Sequence, residues 1–90
     1  MKKMLTVLYS GDVQGIGFRF TAKRIAEELQ LTGWVTNLSD GRVEIRAEAD
    51  EEVLKDFLLQ INNAFSRYIQ NVELDWGSAT GEFCDFIIRF

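Results

Sequence analysis

The segment LTGWVTNLSDGRVEIRAEA, residues 31–49, contains a tight turn between two runs of strand-forming residues. The turn is SDG, residues 39–41, whose Asp-Gly pair suits the positive φ angles of a β-hairpin. After the turn, apolar and charged residues alternate strictly, with Val43, Ile45, Ala47 and Ala49 on one side and Arg42, Glu44, Arg46 and Glu48 on the other. We therefore predict an antiparallel hairpin that buries its apolar face and leaves its charged face in solvent.

A helix is predicted on each side of this hairpin. Before it, apolar residues at positions 18, 22, 25, 26 and 29 fall on one face of a helix of about twelve residues. After it, Asp50 is a suitable N-cap, and Glu51 and Glu52 suit the first turn of a second helix. The buried stripe of the second helix is predicted to consist of Val53, Leu54, Phe57, Leu58, Ile61 and Phe65.

Further strands are predicted outside the two helices. KMLTVLYS, residues 3–10, is rich in strand formers, and VELDW, residues 72–76, places Val72, Leu74 and Trp76 on one face. After a break at GSATGE, residues 77–82, the run FCDFIIRF predicts a last strand with one face made of Cys84, Phe86, Ile88 and Phe90. This order, with a further short strand at one end, predicts an α+β fold of the ferredoxin-like split βαβ (βαββαβ) type. The fold is a two-layer sandwich with both helices on one face of a mostly antiparallel sheet.

The composition limits the classes of protein that fit. Ninety residues, 47% of them apolar, predict a single domain over 1–90 with one core. The single cysteine, Cys84, excludes an intrachain disulfide and is consistent with a cytoplasmic location. The net charge of −4 and the absence of a basic stripe argue against nucleic-acid binding, and no apolar run is long enough to span a membrane.

The glycine-rich stretch GDVQGIGFR, residues 11–19, lies between the first predicted strand and the first helix. A glycine-rich turn that enters a helix presents several backbone N–H groups to one hollow, and the helix dipole adds to their attraction for an anion. Arg19 lies in the first helical turn and leans back toward the loop, so its guanidinium can bind phosphate or carboxylate. The stretch lacks the GK[ST] ending of a Walker P-loop, and its glycine spacing does not fit the Rossmann fingerprint. From the pattern alone, an ordinary flexible turn stays the commoner interpretation.

The same stretch resembles the first signature of the acylphosphatases, G-x-V-Q-G-V-x-F-R, with Ile16 as the one changed position. Residues 33–49 resemble the second signature of that family, G-[WY]-V-x-N-x-x-D-G-x-V. In the family this signature ends, after five further residues, in a glycine, which is Ala49 here. The closing residues FIIRF resemble its C-terminal F-x-I-R-[YF]. The resemblance covers essentially the whole chain. Ala49 puts local backbone shape in question, and the charge of Asp12 would weaken anion binding if it pointed inward.

The resemblance implies hydrolysis of the carboxyl–phosphate bond of a small-molecule acyl phosphate, without a cofactor. It implies that Arg19 binds the phosphoryl group together with the N–H groups of residues 12–19, and that Asn37 holds the attacking water. The loop residues concerned are Asp12, Val13, Gln14, Gly15, Ile16, Gly17 and Phe18. No cluster has metal-ligand spacing, so we expect no metal. We also expect a monomer.

Each singled-out residue also has a plainer interpretation. Asn37 precedes a hairpin turn, where asparagines commonly bond the local backbone. Phe18, Phe20, Trp34 and Trp76 are predicted to be core residues, Phe18 and Phe20 alternatively forming a hydrophobic staple, and Cys84 is predicted to be a small buried apolar residue.

Three other functions compete with hydrolysis by this chain. An RNA-recognition module shares the element order, but the strand GRVEIRAEA lacks the aromatic residues of its signature. A non-catalytic phosphate- or anion-binding regulatory domain of the same fold would keep the loop without the reaction. The third is the acylphosphatase-like module of hydrogenase-maturation proteins, which handles carbamoyl phosphate and belongs to a much longer chain; this sequence ends at Phe90 and has no zinc-finger motif.

Overall fold

The computed structural model describes residues 1–90, which form five strands and two helices. In chain order these are β1 (Lys2–Gly11), α1 (Phe18–Glu28), β2 (Thr32–Asn37), β3 (Val43–Asp50), α2 (Glu51–Ala64), β4 (Ile69–Ser78) and β5 (Phe86–Arg89). The strands make one sheet in the order β4-β1-β3-β2-β5, in which only β2 and β5 run parallel. The predicted split βαβ plan, with a short additional strand at one edge, is confirmed.

Both helices pack on the same face of the sheet and enclose the core. Helix α1 lies on β2 and β5, and α2 lies on β3 and β1. The apolar side of β3 is buried as the alternation predicts, opposite the apolar residues of β1. Twenty buried residues form one hydrophobic cluster, which includes Phe57 and Ile61 of α2 and Val35 of β2. Truncating one of the large side chains in it would cost about 3–5 kcal/mol.

The charged side of β3 is less exposed than its alternation predicts. Glu48 is only 5% exposed, because the segment between β4 and β5 crosses this face of the sheet. The carboxylate accepts hydrogen bonds from the Thr80 amide (2.8 Å), the Thr80 hydroxyl (2.8 Å) and the Gly81 amide (3.0 Å). The prediction of a fully solvated face is therefore wrong at Glu48.

Trp34 is buried, but outside the hydrophobic cluster. Its ring lies against two guanidinium groups, 5.3 Å from that of Arg46 and 4.7 Å from that of Arg89. Trp76 was also predicted to lie in the core, and this prediction is wrong. It faces the helix side of the edge strand β4, where neither helix provides substantial cover, and it is 38% exposed.

At the ends of the elements, the prediction of Asp50 as an N-cap is confirmed in position only, and the prediction of a buried Cys84 is wrong. Asp50 occupies the N-cap position of α2, but its side chain makes no cap hydrogen bond and lies instead 3.4 Å from the N-terminal amine. Strand β5 starts only at Phe86, so Cys84 precedes it and is exposed rather than buried. Ala49, at the end of β3, is buried and pairs with Lys3, away from the glycine loop.

Candidate active site

A pocket of about 180 Å³ lies where the start of α1 meets the end of β2. The strand–loop–helix connection after β1 forms one wall, and the last residue of β2 forms the other. The pocket therefore brings Arg19 and Asn37 together, as the resemblance implies. Its lining consists of Val13, Gly15, Gly17, Phe18, Arg19, Phe20 and Asn37.

The backbone amides around this pocket have no partner within the protein. Helix α1 has Gly17 as its N-cap, with no side-chain cap and no acidic residue in the first turn. The first amide of this segment that bonds is that of Thr21, which donates to the Gly17 carbonyl at 3.1 Å. The amides of residues 13–20 donate no hydrogen bond within the protein. Free N–H groups at a helix N-terminus are a favourable environment for an anion.

Two of the glycines give the loop its shape. Gly15 and Gly17 both have φ of 79°, in the left-handed region that other residues adopt only with strain. An added Cβ would meet no atom within 4 Å at either position. The backbone angle, rather than crowding, therefore requires glycine here.

Phe18 fixes the position of the first helical turn. Its ring is stacked on Phe65 with centroids 4.5 Å apart and lies 5.1 Å from the ring of Tyr9. Each such aromatic pair contributes about 0.5–1.5 kcal/mol beyond the area it buries. Because Phe18 is anchored in the core, the adjacent Arg19 is held at the mouth of the pocket.

Arg19 carries a charge that the protein leaves uncompensated. Its side chain is half-buried and makes no ion pair with a carboxylate. The group in contact with it is the ring of Phe90, whose centroid lies 4.9 Å from the guanidinium carbon. The five N–H donors of the guanidinium are thus free to bind a ligand oxyanion.

Asn37 also has a free side chain. Its side-chain carboxamide makes no hydrogen bond within the protein. The adjoining turn is closed instead by the Leu38 amide on the Arg42 carbonyl (2.8 Å) and by the Asp40 carboxylate, which accepts from the Arg42 amide (3.1 Å). Other residues therefore form the hydrogen bonds of the turn. Asn37 lines the pocket, and its side-chain carboxamide keeps its N–H donors and its carbonyl acceptor available.

Not all predicted loop residues line the pocket. Asp12 is exposed, and its amide donates to the Tyr68 carbonyl at 3.0 Å, so this amide is not available to an anion. Ile16 packs against the hydrophobic core. The side chain of Gln14 is directed to the β2–β3 turn, where it donates to the carbonyls of Leu38 and Arg42.

Phe20 was predicted to be a core or staple residue, and this is wrong: it is 66% exposed and lines the pocket. The period of the helix already predicts that Phe20 lies away from the core. Residues two apart on a helix lie on roughly opposite sides, so Phe18 and Phe20 cannot both face the core.

A larger groove of about 580 Å³ lies elsewhere, beside Trp34, Arg46 and Arg89. It contains neither Arg19 nor Asn37, and no residue of the glycine loop. The smaller pocket is the candidate active site because free amides, a free guanidinium and a free carboxamide converge there. No group of three or more His, Cys, Asp or Glu side chains lies close enough together to hold a metal ion.

A family model described as Acylphosphatase matches residues 5–88 of the chain. An acylphosphatase of Bacillus licheniformis is 49% identical over 86 residues, which cover 93% of this chain and 94% of the relative. The crystal structure of acylphosphatase from Bacillus subtilis superposes with a TM-score of 0.90 at 32% identity, covering 98% of this chain and 99% of that chain. The structure of T. kodakarensis HypF gives a TM-score of 0.79 at 30% identity and covers all of this chain, but only 12% of that longer chain is matched.

Proposed function

The chain belongs to the acylphosphatase family, and on that premise we propose roles for the residues that line its pocket. The reaction is the hydrolysis of the carboxyl–phosphate bond of an acyl phosphate, which yields a carboxylate and inorganic phosphate. We propose that Arg19 and the amides of residues 13–20 bind the phosphoryl group, and that Asn37 orients the attacking water. The observation that carries the proposal is the convergence of these unpartnered groups on one small pocket.

Binding of the phosphoryl group follows from the charges at the pocket. The phosphoryl group of an acyl phosphate is an anion, and in a loose transition state its charge is spread over three equatorial oxygens. The loop amides and the guanidinium of Arg19 can donate to these oxygens from several directions. Since the donors are already held in place, little reorganisation accompanies the reaction, and this lowers the barrier.

Orientation of the water follows from the free amide of Asn37. A carboxamide can accept a hydrogen bond from water and donate one to it. At the end of β2, opposite the loop, such a group holds a water against the phosphorus from the side of the hairpin. Asn37 fixes the direction of the water but does not remove its proton.

The chain offers no general base in the pocket. There is no histidine in the sequence, and no carboxylate side chain lines the pocket. We propose that a phosphoryl oxygen of the substrate accepts the proton of the water as the new P–O bond forms. The bond to the acyl oxygen breaks, and the electron pair leaves with the carboxylate, which is a good leaving group and needs no general acid.

A hydrolysis assay tests the proposed chemistry. Benzoyl phosphate should be hydrolysed at the same rate with and without excess EDTA, since no metal takes part. p-Nitrophenyl phosphate should be a poor substrate, because its leaving group is a stronger base than a carboxylate. Loss of activity on chelation that a divalent cation restores, or similar kcat/KM for both substrates, would overturn this chemistry. Binding of phosphate without hydrolysis would instead indicate an anion-binding domain.

The setting of the enzyme is also proposed. We propose a single domain that works as a monomer on a small molecule, without nucleic acid. One hydrophobic cluster supports the single domain, and the net charge of −4 argues against a nucleic-acid partner. The exposed free thiol of Cys84 fits the reducing cytoplasm. No helix has the length and apolarity needed to cross a bilayer. Sedimentation equilibrium and cell fractionation test the monomer and the location.

A further inference from the structure

Gln14 connects the two walls of the pocket. Its side-chain amide nitrogen donates to the Leu38 carbonyl at 2.8 Å and to the Arg42 carbonyl at 2.9 Å. These are the only side-chain hydrogen bonds between residues 12–17 of the loop and residues 37–42 at the end of β2 and in the following turn. The side chain is partly buried, and it uses both of its N–H donors in this contact.

The two carbonyls that Gln14 binds also close the β2–β3 turn. The Leu38 carbonyl accepts from the Gly41 amide at 3.2 Å, and the Arg42 carbonyl accepts from the Leu38 amide at 2.8 Å. Leu38 directly follows Asn37 in the chain. Gln14 therefore attaches the phosphate-binding loop to the backbone beside the residue that holds the water.

We propose that Gln14 is a positioning residue that sets the distance and angle between the phosphoryl group in the loop and the water on Asn37. This inference rests on the proposed roles of Arg19 and Asn37. Attack on phosphorus requires the water in line with the leaving group, and a misplacement of 1 Å can reduce a rate by about 100-fold. The loop alone can bind phosphate, whereas the reaction requires the loop and Asn37 to be correctly placed relative to each other.

The first test is a double-mutant cycle in kcat with benzoyl phosphate. Gln14→Met keeps the length of the side chain and removes both donors. It should lower kcat by about 10- to 100-fold, while the inhibition constant of inorganic phosphate stays nearly unchanged. In an Asn37→Ala background, Gln14→Met should have little further effect, because the water that it helps to place is no longer held.

A matched control is Gln60→Met. Gln60 donates to Asp56 on the exposed side of α2, at 3.3 Å, and has no contact with the pocket. This variant should keep the kcat of the unsubstituted enzyme. The comparison separates the effect of the Gln14 contact from a general effect of replacing glutamine by methionine.

The second test uses Gln14→Glu. An ionised carboxylate faces two carbonyl oxygens and cannot donate, but a protonated one can donate to one of them. The ratio of its kcat to that of the unsubstituted enzyme should therefore rise as the pH falls from about 8 to about 5, as the introduced carboxyl takes up a proton. Since Gln14→Glu differs in only one polar atom, it also serves if Gln14→Met does not fold.

The outcomes distinguish this inference from the proposed function. If Gln14→Met keeps full kcat, or lowers it by the same factor with and without Asn37, Gln14 does not act through Asn37 and the inference is overturned. A pH-independent ratio for Gln14→Glu also overturns it. If Asn37→Ala alone keeps full kcat, the proposed role of Asn37 fails, and the inference fails with it.

Discussion

The guanidinium of Arg19 lies against the ring of Phe90, with its central carbon 4.9 Å from the ring centroid. Phe90 directly follows β5, which pairs in parallel with β2, so Phe90 lies at the same end of the sheet as Asn37, the last residue of β2. The ring is 95% exposed and contributes little to the core. Its contact with Arg19 holds the guanidinium through a cation–π interaction and uses none of its N–H donors.

Phe90→Ala should therefore weaken phosphate binding without destabilising the fold. A cation–π contact at an exposed site contributes about 0.5–1 kcal/mol. The inhibition constant of inorganic phosphate should rise about 2- to 5-fold, because Arg19 then has to be ordered on binding. Phe90→Tyr keeps the ring and is the matched control. Equal inhibition constants for Phe90→Ala and Phe90→Tyr would show that the ring does not position Arg19.

The rate of hydrolysis should change little with pH between about 6 and 8. No histidine is present, and burial raises the pKa of Tyr9 further above neutral pH. The residues that line the pocket include no histidine, cysteine, tyrosine or carboxylic acid. The check is kcat for benzoyl phosphate at constant ionic strength. A sigmoid that substrate ionisation does not explain would reveal an acid or base outside the proposed mechanism.

Glu48 should stabilise the protein in a pH-dependent way. Burial by itself raises the pKa of Glu48, but the hydrogen bonds from Thr80 and Gly81 outweigh it and hold the pKa below its ordinary value of 4.5. A carboxyl whose pKa is lowered on folding contributes stability at pH values above its unfolded pKa. This contribution is lost as the pH falls through the lower pKa of the folded state.

Glu48→Gln should lower the free energy of unfolding at pH 7 by about 1–3 kcal/mol, because a neutral amide has one acceptor oxygen for three donors. The difference from the unsubstituted protein should shrink below pH 4.5. Urea unfolding at several pH values measures it. Glu44→Gln, on the same face of β3 but without a hydrogen-bond partner, is the control. A loss of unfolding free energy that is equal at all pH values would show that the charge of Glu48 is not the source of the stabilisation.

The order of the elements and the hairpin could be predicted because local patterns determine them. Strict alternation in β3 and the apolar stripe of α2 depend only on residues close together in the chain. The errors arise where burial depends on distant residues. The alternation along β4 predicts that Trp76 is buried, but it lies on an edge strand that the helices do not cover. The alternation along β3 predicts that Glu48 is solvated, but the segment before β5 covers it.

The site was predictable to a different degree. Arg19 and Asn37 could be paired only through the resemblance, since nothing local links a helix start to a strand end. The direction of the Gln14 side chain was not predictable, because the turn that accepts its hydrogen bonds is distant in sequence. The helical period alone could have placed Phe20 on the side of α1 away from the core, but not in the pocket.

Arg19 and Asn37 should differ in what they contribute to the reaction. Arg19 is proposed to bind the phosphoryl group in both the ground state and the transition state. Arg19→Lys keeps the positive charge but cannot make a bidentate contact, so KM should rise and kcat should fall together. Inorganic phosphate, the product, should also bind more weakly, and its inhibition constant measures this.

Asn37→Ala should leave phosphate binding nearly unchanged, because the phosphate contacts come from the loop and from Arg19. It should lower kcat by a factor on the order of 10² to 10³, the usual effect of removing one preorganised polar group. Circular dichroism has to show that both variants are folded, although no hydrogen bond of the turn depends on the Asn37 side chain. An Asn37→Ala enzyme that is folded and keeps full kcat would show that the water is held by another group. A large rise in its phosphate inhibition constant would instead place Asn37 among the phosphate ligands.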